Sequence, residues 1–295
     1  MKREVGSDAM GGTKGVKIMI IDQCLRALDL FEIIPYTQHY NLEMIKKVQK
    51  FKWLLITLVF MSFTSPAEKA ITVYLVGDST MSQKQVKAYP EAGWGMPFAF
   101  FFKSEVRVDN RAQNGRSTKS FLNEKRWSSV MDSLKEGDYV LIQFGHNDEI
   151  QTKKNATTEA EFRSNLLRFV KDTRSKKANP VLITAVARRK FDQAGKLEDT
   201  HKVYSEIVRQ VSRSADVPLV DLDKMSQALL TDMGPEQSKL LYNHLLPGEH
   251  PNYPNGMKDD THFNEFGARK MAQLVLSEIR SLKLGLADYI VTKDK

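Results

Sequence analysis

A three-layer α/β/α sandwich built on a five-stranded parallel sheet is the fold class this sequence predicts. Three observations carry that reading. Five short runs rich in β-branched residues recur between residues 71 and 222. Four of them are apolar nearly throughout, as strands covered on both faces must be. Segments with helical spacing lie between them, and strands alternating with helices pack as a parallel sheet with right-handed crossovers.

The strands are expected at 71–76, 106–110, 139–144, 181–186 and 218–222. Phe162, Leu166, Phe169 and Val170 form one helical stripe, and Val203, Ile207, Val208 and Val211 a second. A final helix carries Phe266, Met271, Leu274, Val275 and Ile279. The natural strand order for such a chain is the flavodoxin-like 2-1-3-4-5. Residues 247–256, rich in Pro, Gly and Asn, read as a long loop just before the final helix.

The 295 residues are 41% hydrophobic and 27% charged, which excludes both a disordered chain and a membrane-embedded one. A net charge of +8 favours polyanions: nucleic acid, anionic membranes or acidic polysaccharides. No block of five or more Lys/Arg and no nucleic-acid motif is present, so nucleic acid is not expected. Cys24 is the sole cysteine, which excludes an internal disulfide and a Cys-rich zinc site. No other metal-ligand spacing stands out, and neither metal nor cofactor is expected.

Residues 53–63 form an apolar run of 11. A bilayer span needs about 20 residues, whereas a signal-peptide core is about this short. Lys46, Lys47, Lys50 and Lys52 precede the run, and Ser65-Pro66-Ala67 follows it. The chain therefore reads as an upstream extension over 1–43, expected to be disordered, a signal peptide over 44–67 and a single domain over 68–295. Export to the periplasm or the outside of the cell is expected, with no stable membrane insertion after cleavage. The rival reading is an uncleaved anchor or a buried core segment. Loss of residues 1–67 removes 9 basic and 6 acidic residues and leaves a cysteine-free chain at +5.

Ligands of an open parallel sheet sit beyond the C-terminal ends of its strands. Gly77-Asp78-Ser79-Thr80 follows the first strand, Asn114-Gly115-Arg116-Ser117 the second and Gly145-His146-Asn147-Asp148 the third. Asp259-Asp260-Thr261-His262-Phe263 precedes the last helix. Acyl transfer by a serine needs a hydroxyl, a base and an acid that orients the base. Ser79, His262 and Asp259 can fill those positions, with Asp260 the runner-up to Asp259. Gly77 is expected to permit a tight turn from strand to helix beside Ser79. The Ser79 and Gly115 backbone N–H groups and the Asn147 amide can donate to a developing oxyanion. Arg116, His146 and Arg188 are candidate substrate contacts, with Lys119 and Arg189 nearby. Trp94 and Trp127 are expected to be buried packing residues rather than sugar platforms, and His201 to make a structural hydrogen bond.

No Gly-x-Ser-x-Gly elbow surrounds Ser79. The four blocks resemble those of the SGNH (GDSL-type) hydrolases. Gly93-Trp94-Gly95, Arg126-Trp127, Arg188-Arg189-x-Phe191, Asp199-Thr200-His201 and Thr261-His262-Phe263 extend the likeness over about residues 71–283. That ensemble resembles rhamnogalacturonan acetylesterases, carbohydrate esterase family twelve. The resemblance implies a Ser79–His262–Asp259 triad, an oxyanion hole of Ser79, Gly115 and Asn147, and an acetylated acidic polysaccharide as substrate. Two enzyme alternatives keep the mechanism, with acetylxylan or another glycan, or a lysophospholipid, as substrate. A non-catalytic glycan-binding protein on the same fold is the alternative from another class. Oligomeric state is left open.

Overall fold

Hydrophobic strands bury both faces here, and their alternation sorts the interior into two cores. The computed structural model describes residues 70–292, together with helical positions 46, 47, 49–51 and 53. The extension over 1–43, Cys24 and, apart from those helical positions, the leader expected over 44–67 lie outside the described residues. Strands β1 (Ile71–Gly77), β3 (Val106–Asn110), β4 (Tyr139–Gln143), β5 (Asn179–Ile183) and β6 (Leu219–Val220) form a parallel sheet in the order β3-β1-β4-β5-β6. Counted along the parallel strands alone, that is the expected 2-1-3-4-5.

Val73, Leu75, Leu141, Val181, Ile183 and Val220 point to one face. They pack against helices α1 (Gly95–Phe98), α6 (Leu222–Gln237) and α7 (Glu265–Ser281). Tyr74, Val76, Val140, Ile142 and Leu182 point to the other. That face is covered by α2 (Thr118–Asn123), α3 (Arg126–Ser133), α4 (Glu159–Ser175) and α5 (Lys202–Ala215). The result is the three-layer sandwich the alternation predicts.

Capping sets where the helices begin. Ser117 starts α2 and Thr158 starts α4 through capping boxes with Ser120 and Glu161. Two stripe assignments are corrected. Val203 is 50% exposed and Phe266 51%, and neither lies on its helix's buried face. The buried rows run through Tyr204, Ile207, Val208 and Val211, and through Ala268, Met271, Ala272, Val275, Leu276 and Ile279. Small alanines and a tyrosine hold those faces, so a count of large aliphatics points slightly to one side of them.

The long loop expected over 247–256 is present, with a strand between it and the last helix. Residues 247–256 join two antiparallel strands, β7 (Tyr242–Leu245) and β8 (Met257–Asn264). With β2 (Glu91–Ala92) they form a second sheet in the order β2-β8-β7. Polar residues fill β8, so the strand shows no apolar alternation. Among the described residues, no helix is long and apolar enough to cross a membrane.

Candidate active site

β1 delivers its serine at the C-terminal edge of the sheet. Asp78, fully buried, closes the turn after Gly77: its Oδ1 accepts from Thr80 N at 3.0 Å and Thr80 Oγ1 at 2.8 Å. Burial pushes the Asp78 carboxyl up, and the two Thr80 hydrogen bonds oppose that shift. The segment is a turn, with Met81 N and Ser82 N bonded to the Asp78 carbonyl, and no helix begins there. Gly77 is required for a different reason than a tight strand-to-helix turn. A Cβ there would lie 2.6 Å from the Gln143 carbonyl of β4.

A buried polar chain backs the turn. Trp94 Nε1 donates to Gln143 Oε1 at 2.7 Å, and Gln143 Nε2 donates to Thr80 Oγ1 at 2.6 Å. Trp94 is thus sealed inside the protein, as is Trp127, which donates to Asp172 Oδ2 at 2.8 Å.

His262 and Asp259 arrive on β8 through a bulge. Asn243 pairs with Asp259 while Tyr242 pairs with Phe263, so residues 260–262 are left outside the ladder. Asp259 closes the bulge, its Oδ1 accepting from Thr261 N at 2.8 Å and His262 N at 2.9 Å. Its Oδ2 meets His262 Nδ1 at 2.7 Å, and His262 Nε2 lies 2.8 Å from Ser79 Oγ. Burial alone would raise the Asp259 carboxyl, but the His262 imidazole and the two N–H donors hold it down at about 2. Asp260 points elsewhere, with Oδ1 2.6 Å from Arg189 Nη1 and 2.8 Å from His244 Nε2.

Ser79, Gly115, Asn147 and His262 line a cleft of about 300 Å³ together with Glu91, Asn114, His146, Lys153, Arg188 and Thr261. Gly115 has φ +73°, in the left-handed region that favours glycine. Among the described residues, no acceptor engages the Ser79 or Gly115 N–H. Asn147 Nδ2 donates to the Arg116 carbonyl at 3.0 Å, and Asn147 Oδ1 accepts from Lys153 Nζ at 2.7 Å.

The three candidate substrate contacts fare differently. Arg188 lines the cleft and reaches Thr261 Oγ1 at 3.2 Å, the His146 carbonyl at 3.2 Å and Glu149 Oε1 at 3.3 Å. His146 forms part of the wall but is buried, its ring against that of His201 at 4.4 Å. Burial first, then the charges of His201 and Arg188, hold it well below the ordinary histidine range, so it is neutral. The Arg116 guanidinium does not line the cleft. It donates to Glu124 Oε2 at 3.0 Å and to the Asn114 carbonyl at 2.8 Å. Of the further basic candidates, Lys119 pairs with Glu161 at 3.7 Å. His201 makes a structural bond, Nδ1 to Glu149 Oε2 at 3.0 Å.

Lys153 and Glu149 escaped the sequence reading. Neither lies at a strand end nor in a recognisable spacing. Only the turn after β4 brings Lys153 to the cleft and Glu149 against Arg188 and His201.

A hydroxyl, an imidazole and a carboxylate in line, beside unengaged N–H donors, can transfer a proton as the hydroxyl attacks a carbonyl. On this parallel sheet the arrangement defines an acyl hydrolase. The model of the GDSL-like Lipase/Acylhydrolase family matches residues 75–270, and the chain belongs to that family. It is 41% identical over 227 residues to the rhamnogalacturonan acetylesterase RhgT of Bacillus subtilis, covering 77% of this chain and 97% of that one. It is 33% identical to the probable rhamnogalacturonan acetylesterase YesY of the same organism, over 74% of this chain and 97% of YesY. The crystal structure of B. subtilis YxiM superposes with a TM-score of 0.63 at 26% identity, covering 73% of this chain and 57% of that one. The chain is a carboxylic ester hydrolase, and relatives named as acetylesterases support an acetylesterase activity.

Proposed function

We propose that this chain is a secreted rhamnogalacturonan acetylesterase acting through Ser79, His262 and Asp259. The observation that carries the mechanism is the unbroken line from Asp259 Oδ2 to His262 Nδ1 at 2.7 Å and from His262 Nε2 to Ser79 Oγ at 2.8 Å. His262 takes the Ser79 proton as Oγ attacks the acetyl carbonyl. Negative charge develops on the carbonyl oxygen and is met by the Ser79 and Gly115 N–H groups and the Asn147 amide. His262 returns the proton to the departing sugar alcohol. Water then attacks the acetyl-enzyme with His262 again as base, and acetate leaves.

Two relatives named for rhamnogalacturonan support the substrate assignment, each aligned over nearly its whole length. A cleft of about 300 Å³ suits a small acyl group, and Arg188 and Lys153 on its lining suit an acidic polymer. The apolar run at 53–63 with its flanking lysines supports export.

The test is acetate release from acetylated rhamnogalacturonan against acetylxylan, with Ser79→Ala in parallel. Preferential release from rhamnogalacturonan is expected, together with loss of about 10⁶ in kcat for the variant. Faster release from acetylxylan would overturn the substrate, and an active Ser79→Ala would overturn the mechanism.

A further inference from the structure

Two amides line the cleft beside Ser79, and a cation grips the oxygen of each. Lys153 Nζ donates to Asn147 Oδ1 at 2.7 Å. An ammonium only donates, so the amide oxygen must face it and Nδ2 must lie on the other side. One Nδ2 hydrogen goes to the Arg116 carbonyl at 3.0 Å, which leaves the second for the cleft that Asn147 lines. The Gly115 N–H belongs to the peptide that joins it to Asn114. The oxygen of that peptide accepts from Arg116 Nη1 at 2.8 Å. The Asn114–Gly115 bond is trans, so its C=O and N–H point in opposite directions in one plane. A cation on the oxygen therefore fixes the aim of the N–H.

Both cations are themselves held. Arg116 Nε donates to Glu124 Oε2 at 3.0 Å. Lys153 sits on the turn that follows β4, and Asn155 of the same turn donates to the Gly115 carbonyl at 2.8 Å. One short segment thus touches the Asn147 amide and, one peptide beyond the Asn114–Gly115 amide, the loop that carries the Gly115 N–H.

We propose that Arg116 and Lys153 are positioning residues of the oxyanion hole, each capping the oxygen of an amide whose opposite N–H receives the developing negative charge. The inference rests on the roles given above to Ser79, Gly115 and Asn147. A cation on an amide oxygen draws electron density from the nitrogen, and polarised hydrogen bonds in series reinforce one another. The gain appears when charge develops in the transition state, so it belongs to kcat and not to KM. Arg116 is thereby reassigned from contact with a substrate carboxylate to the support of a backbone donor.

The experiment uses p-nitrophenyl acetate, a neutral ester that gives no carboxylate for a cation to attract. Lys153→Met and Arg116→Met are each expected to lower kcat about tenfold with KM changed by less than about twofold, a fraction of the loss from deleting a whole donor. Lys153→Arg and Arg116→Lys should recover most of that loss, which a purely structural defect would not predict. Lys153→Met added to Asn147→Ala should cost nothing further, because the charge acts through the amide. An equal loss in both backgrounds would overturn the proposal, since the ammonium would then act on the ester directly. Parental kcat in either methionine variant would overturn it as well. Ser79→Ala separates the two levels. An active Ser79→Ala would remove the serine mechanism itself. An inactive one beside parental methionine variants would remove only the roles of Arg116 and Lys153.

Discussion

Asp259 and Asp260 are neighbours of the same chemistry, and hydrogen bonding alone separates them. Asp259 holds His262 Nδ1 and two backbone N–H groups, while Asp260 is taken by Arg189 and His244. Asp259→Asn should lower kcat about 10⁴-fold by presenting the wrong hydrogen-bond partner to the imidazole. Asp260→Asn should leave hydrolysis of p-nitrophenyl acetate near the parental rate. Asp148 behaves in the opposite sense to Asp259. Burial raises it to about 7, against hydrogen bonds from Thr118 and Thr157. Its folded-state value exceeds the unfolded 3.8, so its contribution to stability is complete below 3.8 and is lost as pH rises through about 7. Asp148→Asn keeps an acceptor oxygen for Thr118 and should flatten the fall in melting temperature across that window. Asp259, depressed to about 2 from 3.8, contributes stability above 3.8 that is lost as pH falls toward 2.

Among the elements, β1 and β8 carry the constraints that matter most. β1 and β4 approach closely at Gly77, where a Cβ would sit 2.6 Å from the Gln143 carbonyl. Backbone cannot swing aside as a side-chain tip can. Gly77→Ala should therefore destabilise the protein by about 1–3 kcal/mol in urea unfolding and disturb the Gln143–Thr80 bond behind Ser79. The β8 bulge explains why two residues three apart can bond side chain to side chain within a strand. In a regular strand, residues three apart point to opposite faces. The Asp-x-x-His spacing was legible in sequence, but the strand that carries it was not, because its polar residues hide the alternation. The parallel strands were legible for the converse reason: burial on both faces demands continuous apolar runs.

At the scale of the whole molecule, both cores draw every buried member found among the described residues from between Val73 and Ile290. A chain beginning at residue 68 should therefore fold and hydrolyse p-nitrophenyl acetate at the full-length rate. Equal kcat and melting temperature in the two proteins are the expected result. The shorter chain carries a net charge of +5 against +8 for the whole. N-terminal sequencing of exported protein should find a start near Ser65–Glu68.

The sequence by itself determined the layer architecture, the strand order and the residues that converge at one sheet edge. Apolar periodicity records burial, and in a parallel sheet the strand ends define where a ligand can sit. Tertiary structure alone decided that a bulge turns Asp259 onto His262, why Gly77 is glycine, and that Arg116 faces a peptide carbonyl while Lys153 reaches Asn147. Those outcomes depend on hydrogen-bond directions across bulges and turns. Such directions leave no periodic trace in a sequence, since a polar residue looks the same whether it faces solvent, substrate or an amide.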